Sequence, residues 1–313
     1  MEFRQIEAFV NAVKYKSFSR AADATFLTQP TISAHIGNLE NELGVVLLNR
    51  NGREISLTKQ GEAFYPYAVD MLNTRSQALF SVKDHSGILE GVLDLHTSTI
   101  PGQYFLPKLM AAFHEKHPGV KYFVEQSDSK NVMESIFSQR GEIGFIGCPA
   151  GSGLTCEPLF SDEVVLIAPA RGQFREWENG SEIDFDDICK EPFIFREEGS
   201  GTQQEIERAK LEGSSAAVFK NVEVVARMNS LEAIWQAVAG GLGVSVVSRI
   251  VVENNMMNGS IRYFRIKGLK KQRMFYMVYN KNICLSPAGE AFCAMALELR
   301  DPELKGQTGG KYR

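Results

Sequence analysis

Little in this 313-residue chain offers cysteine, metal or nucleotide chemistry. The five cysteines, at 148, 156, 189, 284 and 293, are odd in number, widely spaced and without a C-x-x-C pair. That argues against a disulfide framework or a zinc ribbon and leaves reduced core thiols as the ordinary expectation. No H-E-x-x-H, nucleophile elbow, P-loop or dinucleotide fingerprint occurs, so no catalytic residue, metal ligand or cofactor is expected. No stretch approaches the roughly 18 uninterrupted apolar residues of a membrane span, and the opening MEFRQIEAFV has no apolar segment before a small-residue cleavage site. A cytoplasmic protein with no membrane partner is the expectation. Excess positive charge is missing too: net charge is −4, and residues 1–60 carry seven Lys/Arg against six Asp/Glu. Any DNA affinity must then come from placed contacts and dimerisation rather than bulk charge.

At 44% hydrophobic content the chain can bury a sizeable core, and its length calls for two or three folding units. Phe3, Ile6, Phe9, Val10 and Val13 recur at helical spacing and predict an amphipathic first helix. Ser17 or Ser19 can cap a short second helix whose alanines permit close packing. After the turn Phe26-Leu27-Thr28-Gln29, Pro30 opens a third helix running to about Leu43, with Ile32, Ile36, Leu39 and Leu43 as its core stripe. Gly44 ends it. The side chains facing elsewhere on its first turns suit a major groove, so Gln29, Pro30, Thr31, Ser33, Ala34 and His35 are the candidate DNA contacts. Residues 45–58 read as two short strands joined at Asn51-Gly52, a basic wing from which Arg50 and Arg53 reach phosphates or the minor groove.

A lone helix-turn-helix-like stretch is more often plain helix packing, but here the pieces come in order. Residues 17–61, SFSRAADATFLTQPTISAHIGNLENELGVVLLNRNGREISLTKQG, closely resemble the winged helix-turn-helix of LysR-type transcriptional regulators. The family pattern is present in Ser19-x-Ala21-Ala22, Gln29-Pro30-x-x-Ser33, Leu39-Glu40-x-x-Leu43-Gly44 and Leu57-Thr58-x-x-Gly61. Leu48 departs from it where the family usually has Phe, which bears on wing packing more than on DNA contact. The resemblance implies a fold with an N-terminal all-α winged helix-turn-helix plus linker helix and a C-terminal α/β two-lobed domain of periplasmic-binding-protein type. It also implies double-stranded promoter or operator DNA, a small-molecule effector, a homodimer or homotetramer and RNA polymerase as partners.

From Lys59, apolar residues recur at heptad spacing in three rows: Phe64, Met71 and Ala78; Tyr65, Leu72 and Leu79; Ala68 and Val82. The face is too wide for a free surface helix. It fits either packing within its own domain or a dimer-forming coiled coil about 25 residues long, roughly 38 Å, and the resemblance implies the dimer. The expected division is 1–58 winged helix-turn-helix, 59–87 linker helix, 88–302 effector-binding domain and 303–313 disordered Gly-rich tail. Within it, lobe I comprises 88–161 and 270–302, and lobe II 162–269.

From Gly91 strands alternate with helices. Val92–Thr97, Tyr104–His117, Val120–Gln126, Asn131–Arg140 and Ile143–Gly147 read as βαβαβ, and a second set follows from Val164–Ala168 to Val244–Val247. Residues 274–280 and 286–299 add a strand and a helix, which the resemblance returns to the first lobe. Ligands of open α/β sheets bind beyond the strands' carboxyl ends. Thr97-Ser98-Thr99 and Glu198-Gly199-Ser200-Gly201-Thr202 sit there before helices, with Ser127 and Cys148 on the rim. Such residues are ordinary helix caps when single, but two loops converging from two lobes point to a site. The expected effector contacts are Ser98, Thr99, Ser127, Cys148, Arg196, Ser200, Gly201 and Thr202, with Arg196 a counter-charge for an anion.

The enzyme alternative rests only on the two-lobed fold, which serves transport receptors and some transferases as well. Gly240-Gly241-Leu242-Gly243 lies after a helix and before a strand, the reverse of a phosphate loop. His114 and His117 share one helix near its solvated end, a poor metal site, and Cys148 has no neighbour in sequence that would activate it. The segments TSTIPGQYFLP and REEGSGT look most like family branches governing sulfur, selenium or one-carbon-related metabolism.

Overall fold

The computed structural model describes residues 1–50, 55–82, 89–197, 203, 206, 219–255, 259–269 and 272–301. The chain opens with α1 (Phe3–Tyr15), α2 (Phe18–Thr25) and α3 (Gln29–Leu43). Ile6, Phe9 and Ala12 of α1 are buried with Ala21 and Ala22 of α2 and with Ile32, Ile36 and Leu39 of α3. The alanines carry no bulk to hold the helices apart. Ser17 caps α2 by accepting the Arg20 N–H, and Thr28 caps α3 by accepting the Thr31 N–H. Pro30 therefore stands at the second helical position, where its missing N–H forfeits no helical bond. Gly44, at φ 68°, ends α3. Leu43, expected in the core stripe, is 37% exposed, and Leu47 and Leu48 fill the core after the chain has turned.

The wing strands β1 (Leu48–Asn49) and β2 (Ser56–Leu57) pair antiparallel, Leu48 opposite Leu57; the Asn51-Gly52 turn lies outside the described residues. Thr58 accepts the Gly61 N–H at 3.0 Å and donates to the Val46 carbonyl at 2.7 Å, capping the long helix α4 (Lys59–Val82) while tying it to the wing. Tyr65 and Ala68 of α4 are buried on the head, with the Phe9 ring 6.0 Å from Tyr65 and 5.7 Å from Phe64. Farther along, Leu79, Phe80 and Val82 are 43%, 42% and 78% exposed. The first half of the linker thus packs on its own domain, and its end presents apolar side chains to solvent.

Beyond the linker, β3 (Gly91–Thr97), β4 (Val120–Gln126) and β5 (Ile143–Ile146) form a parallel set ordered β4-β3-β5, and β12 (Gln272–Asn280) closes it antiparallel. Helices α5 (Leu106–Lys116), α6 (Ser129–Phe137) and α10 (Pro287–Glu298) bury Phe113, Val132 and Phe292 with this lobe's strands. The second lobe repeats the scheme. There β8 (Phe193–Arg196) and β9 (Val224–Met228) run parallel, Phe193 bridges in parallel to Val244 beside β10 (Ser245–Ser248), and β10 is antiparallel to β6 (Leu154–Pro169). On the far side of β6 lie β11 (Ile261–Ile266) and then β7 (Glu182–Ile183), with α7 (Gln173–Glu176) before them in the chain. The second lobe's helices include α8 (Leu231–Ala239) and α9 (Arg249–Asn255).

The expected strand Val164–Ala168 is the distal part of the 16-residue β6. Leu154–Glu163 pairs with β12 in the first lobe, whereas Val164–Pro169 pairs with β10 and β11 in the second. At this crossing point Asp162 is buried and accepts hydrogen bonds from the Ser248 hydroxyl and the Ile250 N–H; burial pushes its carboxyl up. Phe105, Phe160 and Phe275 stack in series at 5.0 and 4.7 Å. No described helix is long and apolar enough to cross a membrane.

Candidate functional site

Among the described residues, two regions bring polar groups together on rigid elements, the first being the opening turns of α3. Gln29, Pro30 and Ala34 are exposed and Thr31, Ser33 and His35 half-buried, while Ile32 and Ile36 point into the core. One helix face is therefore fixed by packing and the opposite one left for a partner. The Thr31 hydroxyl lies 2.8 Å from that of Thr28, which positions it at the helix entrance. Gly37, one turn on, has open space where a Cβ would stand.

Arg50 does not hang free. Its guanidinium meets Glu40 Oε2 at 2.6 Å and lies 5.6 Å from the centre of the Phe18 ring. Glu40 Oε1 also accepts the N–H groups of Leu47 at 2.8 Å and Leu48 at 3.2 Å. One carboxylate on α3 thus sets the start of the wing, a role the sequence reading did not assign to Glu40. Arg53 lies outside the described residues.

The second region is a cavity of about 430 Å³ between the lobes. The first lobe contributes Thr99, Gln103, Tyr104 and Gln126, and the second Asn229, Ser230, Glu232 and Trp235, with Leu231 and Val251 beneath. Local rules place these groups at strand ends and helix starts: Gln126 ends β4, and Ser230 caps α8 by accepting the Ala233 N–H. The lining is amides, hydroxyls, one carboxylate and part of an indole.

Of the expected effector residues, Thr99 lines the cavity. Ser98 is 8% exposed, with its N–H on the Phe145 carbonyl at 2.7 Å, and does not line it. The Ser127 N–H goes to the Thr97 carbonyl at 3.0 Å, holding the end of β4 beside that of β3. Cys148 is half-buried and also apart from the lining. Ser200, Gly201 and Thr202 lie outside the described residues. Arg196 is buried, 3.4 Å from the Thr99 hydroxyl across the cleft, and bound through two nitrogens to Glu197 at 2.7 and 2.9 Å. Burial works to raise the Glu197 carboxyl, but the Arg196 guanidinium prevails and holds it below the usual carboxylate value. The charge expected to await an anion is already shared. Gln103, Gln126, Glu232 and Trp235 escaped the sequence reading; Gln126 at a strand end and Glu232 at a helix start carry a local signal, whereas Trp235 lies in the middle of α8.

Residues 3–62 match the family described as "Bacterial regulatory helix-turn-helix protein, lysR family", and residues 86–301 match the "LysR substrate binding domain". The chain belongs to the LysR family. It is accordingly a DNA-binding transcriptional regulator with an effector-binding domain, and not an enzyme. It is 30% identical over 289 residues, 92% of each chain, to the HTH-type transcriptional activator CmpR of Synechocystis. It is 29% identical over 296 residues, 93% of this chain and 94% of the other, to the RuBisCO operon transcriptional regulator of Allochromatium vinosum. A single-residue variant of full-length OxyR from Pseudomonas aeruginosa shares the fold with a TM-score of 0.78 at 21% identity, covering 96% of both chains.

The remaining motifs of this LysR-family chain take structural places. The His117 ring packs tilted against Phe113 with ring centres 4.6 Å apart, and no described group of three or more His, Cys, Asp or Glu could hold a metal. A Cβ on Gly243 would stand 2.2 Å from the Pro192 carbonyl oxygen, so the glycine-rich run is a tight connection between α8 and β10.

Proposed function

We propose that this regulator reads promoter DNA with the exposed face of α3, through Gln29, Pro30, Thr31, Ser33, Ala34 and His35, with Arg50 and Arg53 of the wing at the backbone. A homo-oligomer, dimer or tetramer, presents two such heads to two half-sites, joined through the apolar end of α4. The functional division is 1–58, 59–87, 88–302 and 303–313, with lobe I at 88–161 and 270–302 and lobe II at 162–269. The change of partners along β6 at Glu163/Val164 supports the lobe boundary. Its place of action is the cytoplasm, where RNA polymerase is the further partner.

The observation that carries the reading of the sensor is the polar cavity with walls from both lobes. A ligand touching Thr99 and Gln126 on one wall and Asn229 and Trp235 on the other changes the relation of the lobes and hence the placement of the heads. Ser98, Ser127, Cys148, Arg196, Ser200, Gly201 and Thr202 stay candidate effector contacts beside these. Because Arg196 is paired with Glu197, the lining favours an effector recognised by hydrogen bonds and an indole face over a bare anion. The sulfur, selenium or one-carbon placement rests on TSTIPGQYFLP and REEGSGT. Since the Allochromatium relative is named for a RuBisCO operon, carbon metabolites belong in the same screen.

Anisotropy of a labelled fragment from upstream of the gene, against unrelated competitor DNA, tests the reading head. Specific binding lost in Ser33→Ala/Arg50→Ala supports it; equal, steeply salt-dependent binding to both DNAs counts against it. The sensor is tested by tryptophan emission in a Trp177→Phe background, where Trp235 reports alone. A metabolite that shifts that emission and changes DNA affinity identifies the effector class.

A further inference from the structure

The head and the first lobe of the sensing domain touch within one chain. Lys14, in the last turn of α1, places Nζ 2.7 Å from Asp94 Oδ2 in the middle of β3, with both side chains largely buried. On α4, Asp70, Asn73 and Gln77 fall on one helix face. Asp70 Oδ1 accepts the Cys284 N–H at 2.9 Å, Asn73 donates to the Cys284 carbonyl at 2.8 Å, and Gln77 donates to the Leu285 carbonyl at 2.9 Å. The next residue, Ser286, donates its N–H to Glu142 Oε1 at 2.6 Å, and the Glu142 N–H returns to the Asp94 carbonyl. A cavity of about 130 Å³ remains between the two bodies, walled by Lys14, Tyr65 and Asn73 on one side and by Asp94, Arg140 and Glu142 on the other.

This contact is not built for maximum stability. An apolar interface of the same size would avoid the cost of desolvating charges, whereas a buried ion pair roughly breaks even. His96 is 2% exposed, its Nε2 stands 3.5 Å from Asp94 Oδ1, and Asp94 Oδ1 and both His96 ring nitrogens lack a hydrogen-bond partner among the described residues. Directional, incompletely satisfied contacts specify one register and cost little to release, which is what a docked but movable head requires.

We propose that Lys14 and Asp94 are a positioning pair: with the bonds from α4 to Cys284 and Leu285, they dock the DNA-binding head on the first lobe and set the recognition helix's angle to DNA. The dock lies on the sensor's own strand. β3 carries Asp94 at its centre and ends two residues before Thr99 in the cleft, so a rigid strand spans both places. That last link rests on the cleft being the effector site; the dock itself is testable without any effector.

The test uses the full chain with Asp94→Asn, Lys14→Gln and the charge reversal Lys14→Glu/Asp94→Lys. Anisotropy is read on duplexes bearing one footprinted half-site, and on pairs of half-sites in phase or displaced by about half a helical turn, roughly 5 bp. Both single variants are expected to hold a single half-site within about twofold of wild type while losing about tenfold of the in-phase preference, with the reversal restoring it. Hydrogen exchange at the Cys284 amide, read without DNA, should speed up in both single variants and slow again in the reversal. Retention of the spacing preference by the single variants overturns the proposal. So does an equal loss on the single half-site, which would make the pair a structural part of the head, and so does failure of the reversal to restore either readout.

Discussion

Replacing Glu40 by alanine removes three hydrogen bonds at once: those from the Leu47 and Leu48 N–H groups at 2.8 and 3.2 Å, and that from Arg50 at 2.6 Å. Bonds to a charged acceptor contribute about 1.5–3 kcal/mol each, and the longer of the backbone pair belongs at the low end. Arg50 is exposed enough that its ion pair adds less than about 1 kcal/mol. The expected cost is about 3–5 kcal/mol, a large part of the roughly 5–15 kcal/mol that holds a domain folded. Glu40→Gln keeps an acceptor at Oε1 and should lose only about 1–2 kcal/mol. Urea unfolding of the full chain, followed by far-ultraviolet circular dichroism, reads the head through its helices. With a slope of roughly 1–1.5 kcal/mol per M, the head's midpoint should fall by about 2–5 M in the alanine variant. Specific DNA binding should weaken in parallel because the wing loses its anchor. A midpoint indistinguishable from wild type in Glu40→Ala would refute the reasoning; equal losses in Ala and Gln would show that charge rather than backbone capping matters.

Burial, acting first, pushes the Glu142 carboxyl up from 4.5, so the folded chain holds that proton more tightly than the unfolded one. Its stabilising contribution is complete below about 4.5 and is lost as pH rises through the higher folded value; Glu142→Gln should flatten that part of a melting-temperature profile and raise stability at neutral pH. A Cβ on Gly141 would stand 2.2 Å from the buried His96 ring, so Gly141→Ala should cost about 1–3 kcal/mol in urea unfolding. Phe26 is 97% exposed at φ 55°, and Phe26→Asn, better suited to that region, should stabilise the head by about 0.5–1 kcal/mol in the same assay. Truncation of the fully buried Phe113 to alanine should cost about 3–5 kcal/mol, read as a lower melting temperature of the sensing domain.

Local chemistry alone determined much of this protein. The three-four spacing around Ile6 and Phe9, the caps at Ser17 and Thr28, Gly44 and the alternation of strands and helices after Gly91 all act within one or two turns of chain, so they are written in neighbouring residues. The exposed face of α3 was legible for the same reason, since burying Ile32 and Ile36 leaves Gln29 and Ala34 outward. Tertiary structure decided the rest, because the deciding partners are far apart in sequence. Half of β6 exists only because β12, more than a hundred residues later, pairs with Leu154–Glu163, a segment interrupted by Pro158. Only folding reveals that Arg196 reaches the Thr99 hydroxyl, ninety-seven residues away in the chain, and that Trp235 and Gln126 line one cleft. Nothing beside Lys14 in the sequence marks it as a contact residue, and it becomes an interdomain contact only when β3, eighty residues on, brings Asp94 to it. Periodicity says which face of an element is buried; it carries no information about which distant face will cover it.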